Sequence, residues 1–222
     1  MSTQELIIRG ISFAVLIPAI VFHEVSHGYV AYRLGDPTAK LRGRLSLNPI
    51  RHIDPFGTIL LPLLMVAIFG FGFGYAKPVP VNPAYFKDRR KGMFLTGIAG
   101  PSANLAMALG AGIAVRALGF VPSTGLDLVV GYAWLAFYYF AYMNLVLMFF
   151  NLIPLPPLDG SRVLPLFLSD RALHTYHKIE QYGFFILFGI LWLAPRFLGF
   201  DPFDAYFNAT VEPIARLFTG VK

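Results

Sequence analysis

The chain has 222 residues, of which 56% are hydrophobic and only 14% are charged, whereas an average soluble domain carries about 25% charged residues. This composition argues against a soluble globular protein, and the length accommodates roughly five membrane segments of about 20 residues each. The chain contains no cysteine, which excludes disulfides, thiolate metal sites, iron–sulfur clusters and a cysteine nucleophile.

Five apolar runs are long enough to enter or cross a membrane. They comprise residues 6–32, 56–74, 93–120, 126–153 and 182–200. The first run lacks the small residues of a signal-peptide cleavage site and contains polar residues, so we expect a retained helix. The second run is short and contains one proline and several glycines. This composition is compatible with a segment that breaks inside the membrane and turns back.

Basic residues indicate the topology, because lysine and arginine accumulate in cytoplasmic loops. Ten of the 18 flank the run 56–74, five on each side, and the connection 119–125 has none. We therefore expect a re-entrant hairpin at 56–74 with both flanks in the cytoplasm. The N-terminus then lies outside and the connection 154–178 lies inside. The net charge of +6 is thereby explained by topology, and we expect no nucleic-acid partner.

The polar stretches on either side of the hairpin predict a small β element at the membrane surface. Residues 41–47 alternate partly with period two, and residues 76–83 contain three prolines, which favour an extended edge strand. Near the C-terminus, Asp201 and Pro202 are typical of a helix start, and apolar residues follow at helical spacing. They predict an interfacial amphipathic helix.

The predicted fold class is therefore an all-α polytopic membrane protein with about five membrane segments, a re-entrant hairpin and a small surface β element. We expect one membrane-embedded domain over residues 1–222. Its catalytic core spans about 6–165, and C-terminal helices span about 174–219.

The first apolar run contains the block His23-Glu24-Val25-Ser26-His27. Because they are four residues apart on a helix, the two imidazoles lie on one face and can bind one metal ion. Glu24 lies beside the first histidine, where it can take a proton from a water molecule in an open coordination position. This arrangement is typical of zinc peptidases. Two structural histidines are the less favoured interpretation, because unpaired polar groups are costly in an apolar span.

A catalytic zinc site needs a third protein ligand and an open position. Three other histidines could provide the third ligand by residue type, namely His52, His174 and His177. They lie in polar segments, where a solvated histidine is the favoured interpretation. Asp159 is better placed, since it follows the proline-rich stretch 154–157, where irregular backbone can line a wet cavity. The structural alternative is an aspartate that forms an Asx-turn.

These motifs resemble those of the site-2 protease family of intramembrane zinc metalloproteases, in its short prokaryotic form without a PDZ domain. Residues 23–27 match the family's H-E-x-x-H motif, and residues 158–160 match its L-D-G motif. Residues 100–104 match a G-P-x-x-N motif that opens a core helix. Asn151 matches a family asparagine implicated in stabilising the substrate carbonyl.

The resemblance implies a three-helix catalytic core that binds one Zn²⁺ per chain through His23, His27 and Asp159. Glu24 is implied as the base and later proton donor, and Asn151 as a residue near the oxyanion. The implied protein is an intramembrane endopeptidase of the cell membrane whose active site opens toward the cytoplasm. Its expected partners are a transmembrane protein or peptide substrate and the lipid bilayer.

A transmembrane substrate helix must unwind before hydrolysis, because its carbonyls are hydrogen-bonded. We expect the extended residues 76–81 to bind the unwound substrate as an added strand, with a structural surface loop as the alternative. Asn104 is interpreted as a buried amide that satisfies a helix end.

Two other functions compete with the peptidase. The first is a non-catalytic zinc-binding membrane scaffold, a pseudoprotease, which the presence of Glu24 disfavours. The second is a metal transporter, which is disfavoured because the other long apolar runs contain almost no polar residues along a path.

Overall fold

The computed structural model describes residues 3–69, 74–119 and 127–221. Within these ranges the regular structure is helical. The α-helices are α1 Thr3–Arg33, α2 Thr38–Leu41, α3 Leu61–Phe69, α4 Arg89–Leu118, α5 Asp127–Leu152, α6 Gly160–Val163, α7 Asp170–Glu180, α8 Gly183–Phe188, α9 Ala194–Leu198 and α10 Pro202–Thr219. Short 3₁₀ turns form at Pro49–His52, Pro83–Tyr85 and Leu164–Phe167, and π turns form at Pro55–Leu60 and Gly189–Leu193.

Three of the described helices, α1, α4 and α5, are long and apolar enough to cross a membrane. They contain 31, 30 and 26 residues, which corresponds to about 39–46 Å and exceeds the hydrocarbon thickness of about 30 Å. A fourth span results only if Gly183–Phe197 and α10, which are bent by 109° relative to each other, are taken together. The expected count of about five membrane segments is therefore not confirmed within the described ranges.

Helix α4 lies at the centre of the fold, and α1, α5 and α10 all pack against it. Its buried face consists largely of small residues, among them Gly97, Gly100, Ala108 and Gly112. Small side chains let neighbouring helix backbones approach closely, which favours association of helices in lipid. This close approach brings polar side chains from several helices together.

Helix α10 packs along α5 and α4, and its expected position at the membrane interface stays a prediction. The Asp201 carboxylate accepts the Phe203 N–H at 2.8 Å and begins the helix, as the sequence predicts. The apolar face of α10 is covered by protein. The buried cluster there comprises Ala108, Leu145, Met148, Val211 and Ala215. An amphipathic pattern indicates a covered face, but it does not distinguish a membrane surface from neighbouring helices.

The small surface β element expected at 41–47 and 76–83 is also wrong, because no strand occurs in the part of the chain that the structure describes. Residues 41–47 contain the end of α2 and a turn in which Gly43 has a φ of +63°. Their partial alternation of apolar and polar residues therefore does not reflect strand pairing.

Residues 74–82, hereafter the covering segment, form neither helix nor strand, and their prolines favour an extended backbone. Side chains hold the segment, together with backbone bonds from the Tyr75 and Lys77 N–H groups to the Gly57 and His52 carbonyls. Pro78 and Pro80 have no N–H, so they cannot contribute donors to a regular ladder. The side-chain contacts are Arg44 to the Lys77 carbonyl, the Val79 N–H to Glu24 at 2.9 Å, and the Asn82 N–H to Asp36 at 2.6 Å. These acceptors and donors lie far from the segment in sequence, which is why local pattern does not predict them.

The two ends of the run 56–74 are in contact. The Tyr75 N–H donates to the Gly57 carbonyl at 3.0 Å, and the Thr58 hydroxyl donates to the Tyr75 carbonyl at 2.9 Å. Between these ends lie a π turn of six residues and α3 of nine residues, about 22 Å of helix at 1.5 Å per residue. This length is shorter than the hydrocarbon core of about 30 Å. Residues 70–73 of the expected hairpin lie outside the described residues.

Candidate metal centre

Three ligand-type atoms converge between α1 and the start of α6. His23 Nε2, His27 Nε2 and Asp159 Oδ2 are 3.0 Å apart in each pair. The three residues are only 3–7% exposed. The histidines share one face of α1, as their spacing predicts. The structure therefore brings together all three residues that the sequence indicates as metal ligands.

Hydrogen bonds on the far side of each imidazole determine which nitrogen faces this cluster. His27 Nδ1 lies 2.6 Å from the Thr96 carbonyl oxygen, which can only accept, so Nδ1 carries the proton. His23 Nδ1 lies 2.5 Å from Asn104 Oδ1 and donates to it. In the neutral imidazoles, both Nε2 atoms then direct lone pairs toward each other and toward the carboxylate of Asp159.

Three such acceptor atoms in contact repel one another unless a cation lies between them. Two imidazole nitrogens and one carboxylate oxygen are a ligand set that Zn²⁺ uses in catalytic sites, at distances of about 2.0–2.2 Å. The donor chemistry of the cluster therefore fits zinc, and it leaves a fourth position for water or substrate.

Helix α4 leaves space beside the two metal-facing nitrogens at Gly100. A Cβ on this residue would lie 2.4 Å from His27 Nε2 and 2.7 Å from His23 Nε2. The G-P-x-x-N motif lies in the middle of α4 and does not open a helix, which corrects that expectation. The physical requirement for its glycine is room for the metal site.

The glycine of the L-D-G motif allows α6 to begin against the end of α5. A Cβ at Gly160 would lie 2.4 Å from the carbonyl oxygens of both Leu152 and Ile153. This close backbone approach positions Asp159, whose side chain is directed at the histidines. The Asx-turn alternative is not observed, since Asp159 makes no side-chain cap to α6.

A cavity of about 440 Å³ lies next to the cluster. Its polar lining includes Glu24, Asn151 and Arg162, and its apolar lining includes Phe150 and Phe184. The covering segment forms another part of the wall. The cavity therefore combines the candidate metal ligands with a base, an amide and apolar surface.

Glu24 is held toward the covering segment. Its Oε2 atom accepts the backbone N–H of Val79 at 2.9 Å. Burial lowers the pKa of the Arg44 guanidinium, and the Glu24 carboxylate opposes that shift. Arg44 also donates to the Lys77 carbonyl. The guanidinium whose charge interacts with Glu24 therefore also holds the covering segment.

Asn151 lies at the cavity wall near the end of α5. Its Nδ2 atom donates one hydrogen bond to the Leu147 carbonyl at 2.9 Å. A side-chain amide has two N–H donors, so one remains for a ligand in the cavity. The oxyanion role implied for Asn151 stays a prediction.

The three alternative histidines do not join the cluster. His174 and His177 are exposed, and His177 Nδ1 lies 2.8 Å from a carboxylate oxygen of Glu180. His52 is only 2% exposed and donates from Nε2 to the Ser46 carbonyl at 2.7 Å. The expectation of a solvated side chain is therefore wrong for His52.

Two contributors to the site were missed in the sequence. Arg162 Nη1 lies 3.6 Å from Asp159 Oδ1, the carboxylate oxygen that faces away from the histidines. Its only sequence signal is the spacing of three residues, which places both side chains on one side of a helical turn. Asn144 is fully buried behind His23, and its signal is a polar amide within an apolar span.

Two buried histidines and a buried aspartate, with the half-buried Glu24 next to them at a cavity, have the donor set and the base of a zinc metalloprotease. The chain belongs to peptidase family M50, the site-2 protease family, whose family model, described as "Peptidase family M50", matches residues 127–194. Relatives along most of the chain support the same assignment.

YwhC of Bacillus subtilis (strain 168) is 40% identical over 209 residues, which is 93% of this chain and 90% of the relative. Rip2 of Mycobacterium tuberculosis (strain H37Rv) is 29% identical over 201 residues, covering 89% of this chain and 73% of the relative. Both are candidate zinc metalloproteases by name. No solved structure matches the chain significantly.

Proposed function

We propose that this protein is an intramembrane endopeptidase that hydrolyses peptide bonds in or near transmembrane segments of membrane-protein substrates. The observation that carries the proposal is the cluster of His23, His27 and Asp159, with donor atoms 3.0 Å apart beside a cavity among membrane-type helices. These three residues would hold zinc, which would supply a bound water with a pKa near about 7 and a Lewis acid for a substrate carbonyl.

Glu24 acts as the general base and then as the proton donor. It follows the ligand His23 in sequence and lines the cavity, so it can take a proton from the attacking water and deliver it to the leaving amine. Asn151 donates its remaining amide N–H to the substrate carbonyl oxygen as negative charge develops there. Arg162 pairs with Asp159 Oδ1 and leaves Oδ2 directed at the two histidines.

We further propose a multi-pass protein of the cell membrane with its active site open toward the cytoplasm. His27 and His23 precede Arg33 by six and ten residues, which corresponds to about 9 and 15 Å along α1. The site is then below the cytoplasmic end of that helix and within reach of water. The contact between Gly57 and Tyr75 supports a re-entrant hairpin at 56–74.

Residues 76–81 of the covering segment bind the unwound substrate as an added strand. Their extended backbone at the cavity wall supports this proposal, because main-chain hydrogen bonds to an edge provide affinity that does not depend on sequence. A substrate carbonyl that accepts the Val79 N–H would take this donor from Glu24. The carboxylate would then be free for proton transfer when substrate is bound.

The proposed reaction is tested with Glu24→Gln in full-length protein reconstituted with a transmembrane substrate. We expect cleavage to fall by about 10²–10⁴-fold, since this is the usual contribution of a general base, and zinc content to remain that of the wild type. Glu180→Gln is the matched control, because Glu180 is in α7 and bonds the exposed His177. Equal cleavage by the wild type and Glu24→Gln would reject the mechanism.

The competing function is a zinc-binding scaffold without catalysis. It predicts that the wild type binds zinc but cleaves no member of a broad panel of transmembrane substrates. Glu24 lines the cavity beside the ligand cluster, which a purely structural zinc site does not require. This observation favours the peptidase.

A further inference from the structure

Behind His23, two buried asparagines join three helices through their side-chain amides. Asn104 on α4 and Asn144 on α5 are both fully buried. Asn104 Nδ2 donates to Asn144 Oδ1 at 2.7 Å, and Asn144 Nδ2 donates to the Phe140 carbonyl at 2.8 Å. With the contact of 2.5 Å between Asn104 Oδ1 and His23 Nδ1, these bonds form one chain that ends at the metal cluster.

Two backbone carbonyls determine the direction of this chain, because a carbonyl only accepts. Phe140 accepts from Asn144, and Ala19 accepts from Asn104 Nδ2 at 3.4 Å. Asn144 must direct its NH₂ group at Phe140, so its oxygen faces Asn104. Asn104 must then donate from its own NH₂ group, so its oxygen faces His23. His23 can only donate to that oxygen, which places its proton on Nδ1 and its lone pair on Nε2.

We propose that Asn104 and Asn144 are positioning residues that set the tautomer and the ring orientation of His23 for zinc. Metal-bound histidines generally donate their other ring N–H to a fixed acceptor, and removal of that acceptor typically weakens metal binding by about 10–100-fold. Here a side-chain amide is the acceptor, and a second amide holds it in orientation. The inference rests on the proposed role of His23 as a zinc ligand.

A role in satisfying helix ends, the earlier expectation for Asn104, does not account for this arrangement. Asn104 is in the interior of Arg89–Leu118 and Asn144 is in the interior of Asp127–Leu152. Backbone groups in a helix interior are already paired within the helix. Two interior amides that bond to each other and to a ligand of the cluster therefore require another explanation, which the positioning of His23 provides.

The test measures Zn²⁺ affinity of the full-length protein in detergent by competition with a chromophoric chelator. For Asn104→Leu we expect affinity to fall by about 10–100-fold, and for Asn144→Leu a smaller loss in the same direction. The double variant should bind zinc as weakly as Asn104→Leu alone, because Asn144 acts only through Asn104. The absorption spectrum of bound Co²⁺ should also change in both single variants.

Thermal unfolding of the metal-free variants separates positioning from folding. Thr219→Val is the matched control, since this buried hydroxyl donates to the Ala215 carbonyl and accepts the Val221 N–H, both near the end of α10 and away from His23. It should leave zinc affinity unchanged. If Asn144→Leu does not fold, Asn144→Ser is measured and interpreted in the same way.

The outcomes distinguish this inference from the proposed function. Wild-type zinc affinity and an unchanged Co²⁺ spectrum in the Asn144 variant would overturn the positioning role, as would a double variant whose loss is the product of the two single losses. His23→Ala is measured beside them. If His23→Ala also binds zinc normally, the proposed ligand assignment itself is wrong.

Discussion

At Gly100 the backbone of α4 passes the two metal-facing nitrogens with no side chain between them. A Cβ there would lie 2.4 Å from His27 Nε2, closer than van der Waals contact allows. We expect Gly100→Ala to displace the imidazoles. Overpacking typically costs about 1–3 kcal/mol, which corresponds to a loss of about 5- to 160-fold in zinc affinity. Titration with a competing chelator measures this loss.

The same helix provides the control for this prediction. Gly110 is also in α4, but a Cβ there would have no neighbour within 4 Å. Alanine is a better helix former than glycine by about 1 kcal/mol, so Gly110→Ala should bind zinc normally and should not be destabilised. Equal zinc affinity of the Gly100 and Gly110 variants would contradict the requirement for space at Gly100.

At the scale of residues, local spacing in the sequence predicts part of the site. The separation of His23 and His27 specifies one helix face, so the sequence alone predicts this pair. The acceptors behind them are different, because the Thr96 carbonyl and the Asn104 amide oxygen meet the histidines only when α1 and α4 pack. Asn144 reaches Asn104 only when α5 packs as well. No spacing within one helix contains that information. The histidine pair was therefore predictable, and the groups that orient it were not.

The covering segment is the element on which substrate binding depends in our proposal. Because the chain has no native cysteine, a single cysteine at Val81 can be cross-linked to cysteines placed one at a time along a substrate. An added strand predicts cross-links at alternate substrate positions, since side chains of a strand point to opposite faces. A substrate that remains helical predicts a repeat of about 3.6 residues. The pattern is measured by gel electrophoresis with Glu24→Gln to prevent turnover.

Proline substitution tests the same element in a different way. Val81→Pro removes one N–H from the segment, and Val79→Pro removes the N–H that Glu24 accepts. We expect lower cleavage in both variants. Unchanged cleavage together with a helical cross-linking repeat would show that residues 76–81 are a structural loop.

At the scale of elements, the helices were more predictable than their surroundings. Long apolar runs predict α1, α4 and α5 because the signal lies within each run. The extended covering segment was also recognised, but its pairing as a strand was wrong. Its partners are the side chains of Glu24, Asp36 and Arg44 and the backbone carbonyls of His52 and Gly57. Such contacts over long sequence distances leave no periodic pattern. For α10, the amphipathic pattern does not distinguish membrane from protein as the cover of its apolar face.

For the whole molecule, helix contacts establish which helix ends lie on the same side. His23 contacts Asn104, and His27, one turn later, contacts the earlier residue Thr96. Helices α1 and α4 are therefore antiparallel. The start of α1 therefore lies at the same end of the bundle as the end of α4. At the other end, one basic flank of the run 56–74 follows α1 and the other precedes α4.

The C-terminal helix can be placed in the same way. The Arg116 side chain, near the end of α4, donates to the Phe218 carbonyl at 2.8 Å, near the end of α10. These two helices therefore end at the same end of the bundle. If α4 runs outward, as the basic residues predict, α10 also ends outside. The distribution of basic residues alone does not predict on which side of the membrane α10 ends.

Single cysteines at Lys40, Lys87, Ser123 and Val221 test this topology with an impermeant thiol reagent in intact cells and in inverted vesicles. We expect the first two to be labelled only from the cytoplasmic side and the last two only from outside, and the cysteine-free parent to give no background. Opposite sidedness of the Lys40 and Lys87 variants would reject the re-entrant hairpin. Cytoplasmic labelling at Val221 with external labelling at Ser123 would instead contradict the parallel arrangement of α4 and α10, so each part of the topology has its own readout.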